Sequence, residues 1–326
     1  MAASPAMGDR VTTPRGLLSV GGGVCLLFCC MGARAATYCV TIAGLGGEPD
    51  YEQRFTATAN ALDRILKTSG GDIHVFTLTG AEATRAHVEE TLATVARQSK
   101  PEDDFVLVLI GHGSYDGSEY KFNLPGPDIS AKEMADLLNR IPAKRQLIVN
   151  TTSASGGSIG ALDKPGRAVI AATKTGTEKN ATVFARYWVE ALRDPTADTN
   201  KNDTISALEA FEYASNKTAA FYDSQKRLAT EHAVFEDTGK NDAVRSPSTD
   251  TGEGLFLSNF SLVRFGDAQK AFSDPAKREL LAKKEELEQK IDSLKYQKAA
   301  MAEDDYKQQL TSALVELAHV QLELDK

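Results

Sequence analysis

Hydrophobic positions in this chain follow two regimes. From residue 37 to 265, short apolar runs alternate with stretches whose apolar residues recur three and four apart. The runs "TYCVTIAGL" (37–45), "DIHVFTL" (72–78), "FVLVLI" (105–110), "QLIV" (146–149) and "RAVIAATK" (167–174) have the length of strands and end in glycine or polar turns. The third is apolar throughout, as a strand covered on both faces should be. Helix-like stretches lie near 51–67, 81–98, 130–140 and 180–192, and in the second of these Val88, Leu92 and Val95 share a face. Such alternation predicts an α/β domain, a mostly parallel sheet between two helical layers. "LSNFSLVRF" (257–265) predicts a last strand returning to that sheet. "DTGKNDAVRSPSTDTGEG" (237–254) has almost no apolar content and predicts a mobile loop.

Beyond residue 270 the period changes. Asp274 and Pro275 make a good helix start. Leu280, Leu287, Leu294 and Met301 then recur every seven residues, as do Leu310, Leu317 and Leu324, with Tyr306, Ala313 and Val320 between. Heptad spacing, broken by the acidic "AEDD" (302–305), predicts a helical hairpin or coiled coil over 270–326. Its seam over 275–325 would suit a homo-oligomer, and a single helix packed along the domain is the competing reading.

The first 35 residues differ again. Arg10 and Arg15 precede the apolar run "GLLSVGGGVCLLFCCM", which ends in "GARA" before Ala36. A positive start, a short apolar stretch and small residues at the cleavage position describe a secretory signal peptide over 1–35, and hence a secreted or periplasmic protein. A membrane anchor is the alternative, but the run is short for a span. Removal of Arg10, Arg15, Arg34 and Asp9 changes the count from 37 basic and 45 acidic residues to 34 and 44, so the net charge moves from −8 to −10. That balance argues against an electrostatic grip on nucleic acid or anionic lipid. Cys39 is then the one cysteine left, so an exported chain has no internal disulfide framework.

Chemistry concentrates in the turns after two of the apolar strands. In open parallel sheets, ligands bind beyond the carboxyl ends of the strands. "LIGHGSYDG" (109–117) places His112 there, between two glycines, and "LIVNTTSASGG" (147–157) places Ser153. The Gly113 amide is positioned to serve as an oxyanion donor. Together these segments resemble the caspase-like fold, and most of all bacterial relatives of the legumain family of cysteine peptidases. The resemblance covers roughly residues 37–265 and implies a three-layer caspase-like domain over 36–266. In that family a G-H-G turn supplies the base and a D-x-C-x-S-G-like turn the nucleophile. Matching Ser155 and Gly156 to the final S-G sets Ser153 at the cysteine and Thr151 at the acidic position.

That departure matters. A thiol near pKa 8.5 is partly ionised at neutral pH, whereas a serine hydroxyl needs an oriented base with a third group behind it. No carboxylate is placed by sequence to orient His112; Asp116 lies on the same turn. The leading expectation is a non-catalytic relative of a cysteine-type endopeptidase that binds an unidentified peptide or protein, or serves assembly. The rival is a serine-dependent hydrolase with His112 as base, Ser153 as nucleophile and Gly113 in the oxyanion hole. His112 as a plain turn residue, and Ser153 as a cap of the next helix, fit the non-catalytic case.

One further motif stands out. "DTNKNDTISALE" (198–209) sets Asp198, Asn200, Asn202, Ser206 and Glu209 at positions 1, 3, 5, 9 and 12, with the Thr204 carbonyl at 7 and Ile205 at 8. This is EF-hand spacing and implies structural calcium of modest affinity. Asp203 replaces the usual glycine at position 6, and Pro195 crowds the incoming helix. A hydrogen-bonded turn capping the helix near Ser206 is the alternative. His74, His87, His232 and His319 show no metal-ligand spacing and are expected to be surface or satisfied residues.

Overall fold

The computed structural model describes residues 35–326. The signal-peptide assignment therefore lies outside the described residues, apart from its last position. Alternating side-chain direction organises the domain. The strands β1 (Thr37–Ala43), β2 (Ile73–Leu78), β3 (Asp104–Ile110), β7 (Arg145–Asn150) and β8 (Arg167–Ala171) run parallel, and β10 (Val234–Glu236) joins antiparallel at one edge. The order across the sheet is β10-β8-β7-β3-β1-β2. Successive residues of β3 point to opposite sides. Val106, Val108 and Ile110 join Cys39, Leu147 and Val149 in one core. Phe105, Leu107 and Leu109 join Val40, Ile42 and Ile148 in the other.

Helices cover both faces. The first core is closed by Leu62 and Leu66 of α1 (Pro49–Thr68), by Phe184 and Trp188 of α5 (Phe184–Ala191), and by Phe211 and Ala214 of α6 (Ala207–Ser224). The second is closed by Val88, Leu92 and Val95 of α2 (Arg85–Gln98), Met134 and Leu138 of α3 (Ala131–Leu138), and Ile159 and Leu162 of α4 (Ile159–Leu162). Each fully buried Leu, Val or Phe here contributes about 1.5–3 kcal/mol relative to exposure. Helix starts are chemically marked: Pro49 stands in the first turn of α1, the Thr84 hydroxyl caps α2, and Ser130–Glu133 and Ser206–Glu209 form reciprocal capping boxes on α3 and α6. The Thr84 cap explains why α2 begins at Arg85, later than the expected residue 81.

Two expectations change. Residues 257–265 do not return to the main sheet. Leu255–Ser258 is a helical turn (α7), and β11 (Ser261–Arg264) pairs antiparallel with β9 (Thr204–Ser206) in a separate two-stranded ribbon. The sheet edge goes instead to the three-residue β10, whose outer side is closed by a reciprocal pair of backbone bonds between Phe235 and Val244, both 2.8 Å. A small sheet of β4 (Gly113–Tyr115), β5 (Tyr120–Phe122) and β6 (Ile129–Ser130) follows β3. Residues 237–254 are tied at both ends: Glu236 accepts from the amides of Thr238, Gly239 and Lys240, and Asp237 from those of Gly254 and Leu257.

The C-terminal region is a helical pair, α9 (Arg278–Gln297) and α10 (Glu303–Leu324), joined to the domain by α8 (Gly266–Ser273). Much of the heptad seam is used within the chain. Leu281, Leu287, Val320 and Leu324 pack with Ala268, Ala271 and Phe272 of α8, with Leu280 and Leu317 at the margin. No described helix is long and apolar enough to cross a membrane.

Candidate functional site

The strand order creates the site. β1 lies between β2 and β3, so the crossovers β1–β2 and β2–β3 run in opposite directions across the sheet, the kind of switch point beyond whose carboxyl ends open parallel sheets bind ligands. His112 follows β3 at that switch point. Its ring stands edge-on to Tyr51 (centroids 4.7 Å apart, planes at 73°) and Phe55 (5.1 Å, 74°) from α1. Burial lowers the His112 pKa below the ordinary imidazole value, a hydrogen bond to the Gly46 backbone pulls it up, and Arg54 pushes it down further. The imidazole is therefore neutral at pH 7, with its ring facing α1.

Ser153 follows β7 and is buried. Its Oγ accepts from the Gly113 amide at 3.1 Å and donates to the Gly113 carbonyl at 3.0 Å. The expected nucleophile and the expected oxyanion donor are thus bonded to each other. Among the described residues no hydrogen bond joins Ser153 Oγ to the His112 ring. Gly113 permits this approach: a Cβ there would stand 2.5 Å from the Ser153 carbonyl oxygen, 2.8 Å from Thr152 Oγ1 and 2.4 Å from the Tyr120 ring.

The rest of the turn is a satisfied hydroxyl network. Thr151, at the position of the acidic residue in the resembling family, donates to the Leu109 carbonyl at 2.7 Å. Thr152 Oγ1 shares a 2.6 Å bond with the Tyr120 hydroxyl and donates to Asn150 Oδ1 at 2.8 Å. The Asn150 amide donates to Ser158 Oγ, and Ser155 Oγ pairs with Thr173 Oγ1. Burial pushes Tyr120 up to about 12, so it stays a neutral donor. Ala154 takes a left-handed φ of 57°, which in a residue with a Cβ costs about 1–2 kcal/mol. Asp116 serves its own turn, accepting from the Ser118 and Glu119 amides, which draw its carboxyl down to about 2.

Two residues at this site, Tyr115 and Glu178, escaped the sequence reading, and His232, expected to be a surface or satisfied residue, is satisfied here. The Tyr115 ring lies against Gly157 and Gly176, whose added Cβ atoms would stand 2.9 Å and 2.4 Å from it. Glu178 and His232 form a pair with Oε1 to Nδ1 at 2.6 Å, and the Glu178 carbonyl accepts from the Ala154 amide at 2.8 Å. His232 is thus partnered, from a carboxylate 54 positions away that no local motif signals.

The 198–209 segment folds as a tight loop. Lys201 and Asp203 both take positive φ, 62° and 65°, so Asp203 adopts the turn that glycine normally supplies at position 6. Asp198, nearly buried, accepts from the Asn202 and Asp203 amides at 3.2 and 3.1 Å. The Asn202 side-chain oxygen accepts from the Thr204 amide. Glu209 reaches back across the loop: one oxygen accepts from the Thr199 amide and hydroxyl, the other from the Ser206 amide and hydroxyl. Asp198 and Glu209, the two ends of the expected ligand set, thus both have backbone donors of the loop on their oxygens. Among the described residues no three His, Cys, Asp or Glu side chains form a metal-holding group. A cation here would rely on Asn200, Asn202, Ser206 and the Thr204 carbonyl beside the two carboxylates.

The parallel sheet, two helical layers and C-terminal helical pair define a mixed α/β protein of the expected three-layer type. No family model matches the chain, and no curated protein does. Among solved structures it is similar to the Drosophila initiator caspase Dronc, at 12% identity over 70% of this chain and 84% of that one, TM-score 0.45. It is equally similar to protein GSU0716 from Geobacter sulfurreducens, at 12% identity over 72% of this chain and 100% of that one, TM-score 0.45.

Proposed function

We propose that this chain is an exported, non-catalytic relative of legumain-type peptidases, a module that holds a peptide or protein partner at the crevice beside His112 without cleaving it. The observation that carries the reading is the paired bond between Ser153 Oγ and the Gly113 amide and carbonyl. It occupies the hydroxyl as both donor and acceptor and takes up the amide that an oxyanion would need. His112 and its aromatic neighbours Tyr51 and Phe55 remain as a half-buried surface suited to a partner side chain. A serine-directed fluorophosphonate probe tests this: wild type and Ser153→Ala label equally little. Labelling of wild type that Ser153→Ala abolishes would establish the serine-hydrolase alternative. Peptidase activity gained by Ser153→Cys would show that the crevice still accepts a substrate in a productive pose.

A second element of the reading is structural calcium in the 198–209 loop, supported by the left-handed Asp203 and by the ligand-type side chains at the EF-hand positions. Asp198, Asn200, Asn202, Ser206 and Glu209 side chains and the Thr204 carbonyl would hold it. Calorimetry with calcium on wild type and Glu209→Gln decides: heat of binding lost in the variant supports the site, and identical traces remove it.

A further inference from the structure

The two edges of the main sheet are finished differently. At one, β10 is three residues long and its outer side is occupied by Val244. At the other, β2 presents six residues, "IHVFTL", and among the described residues none of them makes a backbone hydrogen bond beyond β1. This edge carries none of the usual blunting devices: no proline, no lysine or other formally charged side chain, no bulge. Ile73, Val75, Phe76 and Leu78 are only half buried, and His74 is exposed, whereas β1 beside them is almost wholly buried. Ile73 and Val75 pack on one core, and Phe76 and Leu78 on the other, so each leaves apolar surface along the rim.

We infer that the outer edge of β2 is a self-association surface, pairing antiparallel with β2 of a second copy about a two-fold axis. The strand's own composition is compatible with that occupant in either symmetric register. Continuing the sheet across a two-fold keeps each face on its own side, so paired residues must be an even number of positions apart. Centring on Val75 sets Ile73 against Thr77 and His74 against Phe76; centring on Phe76 sets Val75 against Thr77 and His74 against Leu78. Neither register opposes like charges, and both extend the two apolar faces. The nearest acidic residue on the strand's leading end, Asp72, then meets the uncharged Leu78–Gly80 segment of the other copy. The contact is isologous and closes at a dimer. It is separate from the hairpin seam, much of which is used within the chain, and owes nothing to the chemistry at Ser153.

Sedimentation of the full chain over a wide concentration range, with amide hydrogen exchange at each concentration, tests this. The expected result is a monomer–dimer equilibrium in which the 73–78 amides exchange more slowly as dimer accumulates. Phe76→Lys loses the dimer. His74→Lys, at a side chain that is exposed beyond its stacking on Tyr38, weakens it while leaving far-ultraviolet circular dichroism unchanged. A hairpin control, Leu322→Lys, on a residue 61% exposed, leaves it intact. A monomer at every concentration overturns the proposal. So does a dimer that only Leu322→Lys disrupts, or one that forms without slowing exchange in β2.

Discussion

The turns after β3 and β7 sit side by side yet are finished in opposite ways. The His112 turn is aromatic and half open: its imidazole is neutral and lies among Tyr51 and Phe55. The Ser153 turn is polar and closed, its hydroxyls bonded to one another and to the backbone. A working acyl-transfer site needs the reverse in its second turn, a nucleophile presented outward with its proton aimed at the base. The difference teaches that a turn with the outline of a nucleophile loop becomes a structural joint when its oxygen is turned inward. Gly113 is the hinge pin of that joint.

The contrast can be broken most severely at Gly113. Gly113→Ala would drive a Cβ into the Ser153 carbonyl oxygen and the Tyr120 ring. Overpacking of this kind costs about 1–3 kcal/mol, sometimes more, and urea denaturation should show it. If the variant were as stable as wild type, the two turns would not be locked together. Next in size is Tyr120→Phe, which strips a partner from buried Thr152 and Asn150. Its expected loss is about 1–3 kcal/mol by the same measurement. Ser153→Ala leaves the Gly113 amide and carbonyl without their shared partner, for a loss of about 1 kcal/mol.

The smallest effect belongs to the open turn. Because the folded His112 pKa lies below the unfolded value of about 6.5, the unfolded chain binds more protons between the two. The contribution of His112 to stability is thus complete above about pH 6.5 and is lost as pH falls from there through the folded pKa. An NMR titration of the ring should give a midpoint below that of a model imidazole, and Phe55→Ala should move it back up. An unshifted midpoint in wild type would mean the ring is not packed against α1.

What the sequence disclosed follows from how local each signal is. The inner parallel strands were legible because both their faces are buried, which leaves continuous apolar runs such as Phe105–Ile110, and the half-buried β2 was legible from its short apolar run. The helical pair was legible from its heptads. The edge strand β10 was not: three residues carry no periodicity, and Val244 completes it from a polar segment. At the site, His112 and Ser153 were found because each ends an apolar strand in a small-residue turn. Gly113 was expected beside Ser153 as an oxyanion donor; that its amide and carbonyl bind the serine hydroxyl itself, across 40 positions, was hidden, as was the pairing of His232 with Glu178 across 54. The 257–265 segment misled because its apolar run serves a helical turn and a ribbon strand in succession.

Hydrogen exchange at the Gly113 amide tests the closed turn most directly. If Ser153 Oγ accepts that N–H, exchange in Ser153→Ala should be about tenfold faster or more than in wild type, as the loss of roughly 1.4 kcal/mol of local protection would give. An amide that exchanges equally fast in both proteins would contradict the account, for it would leave the donor free to meet an oxyanion.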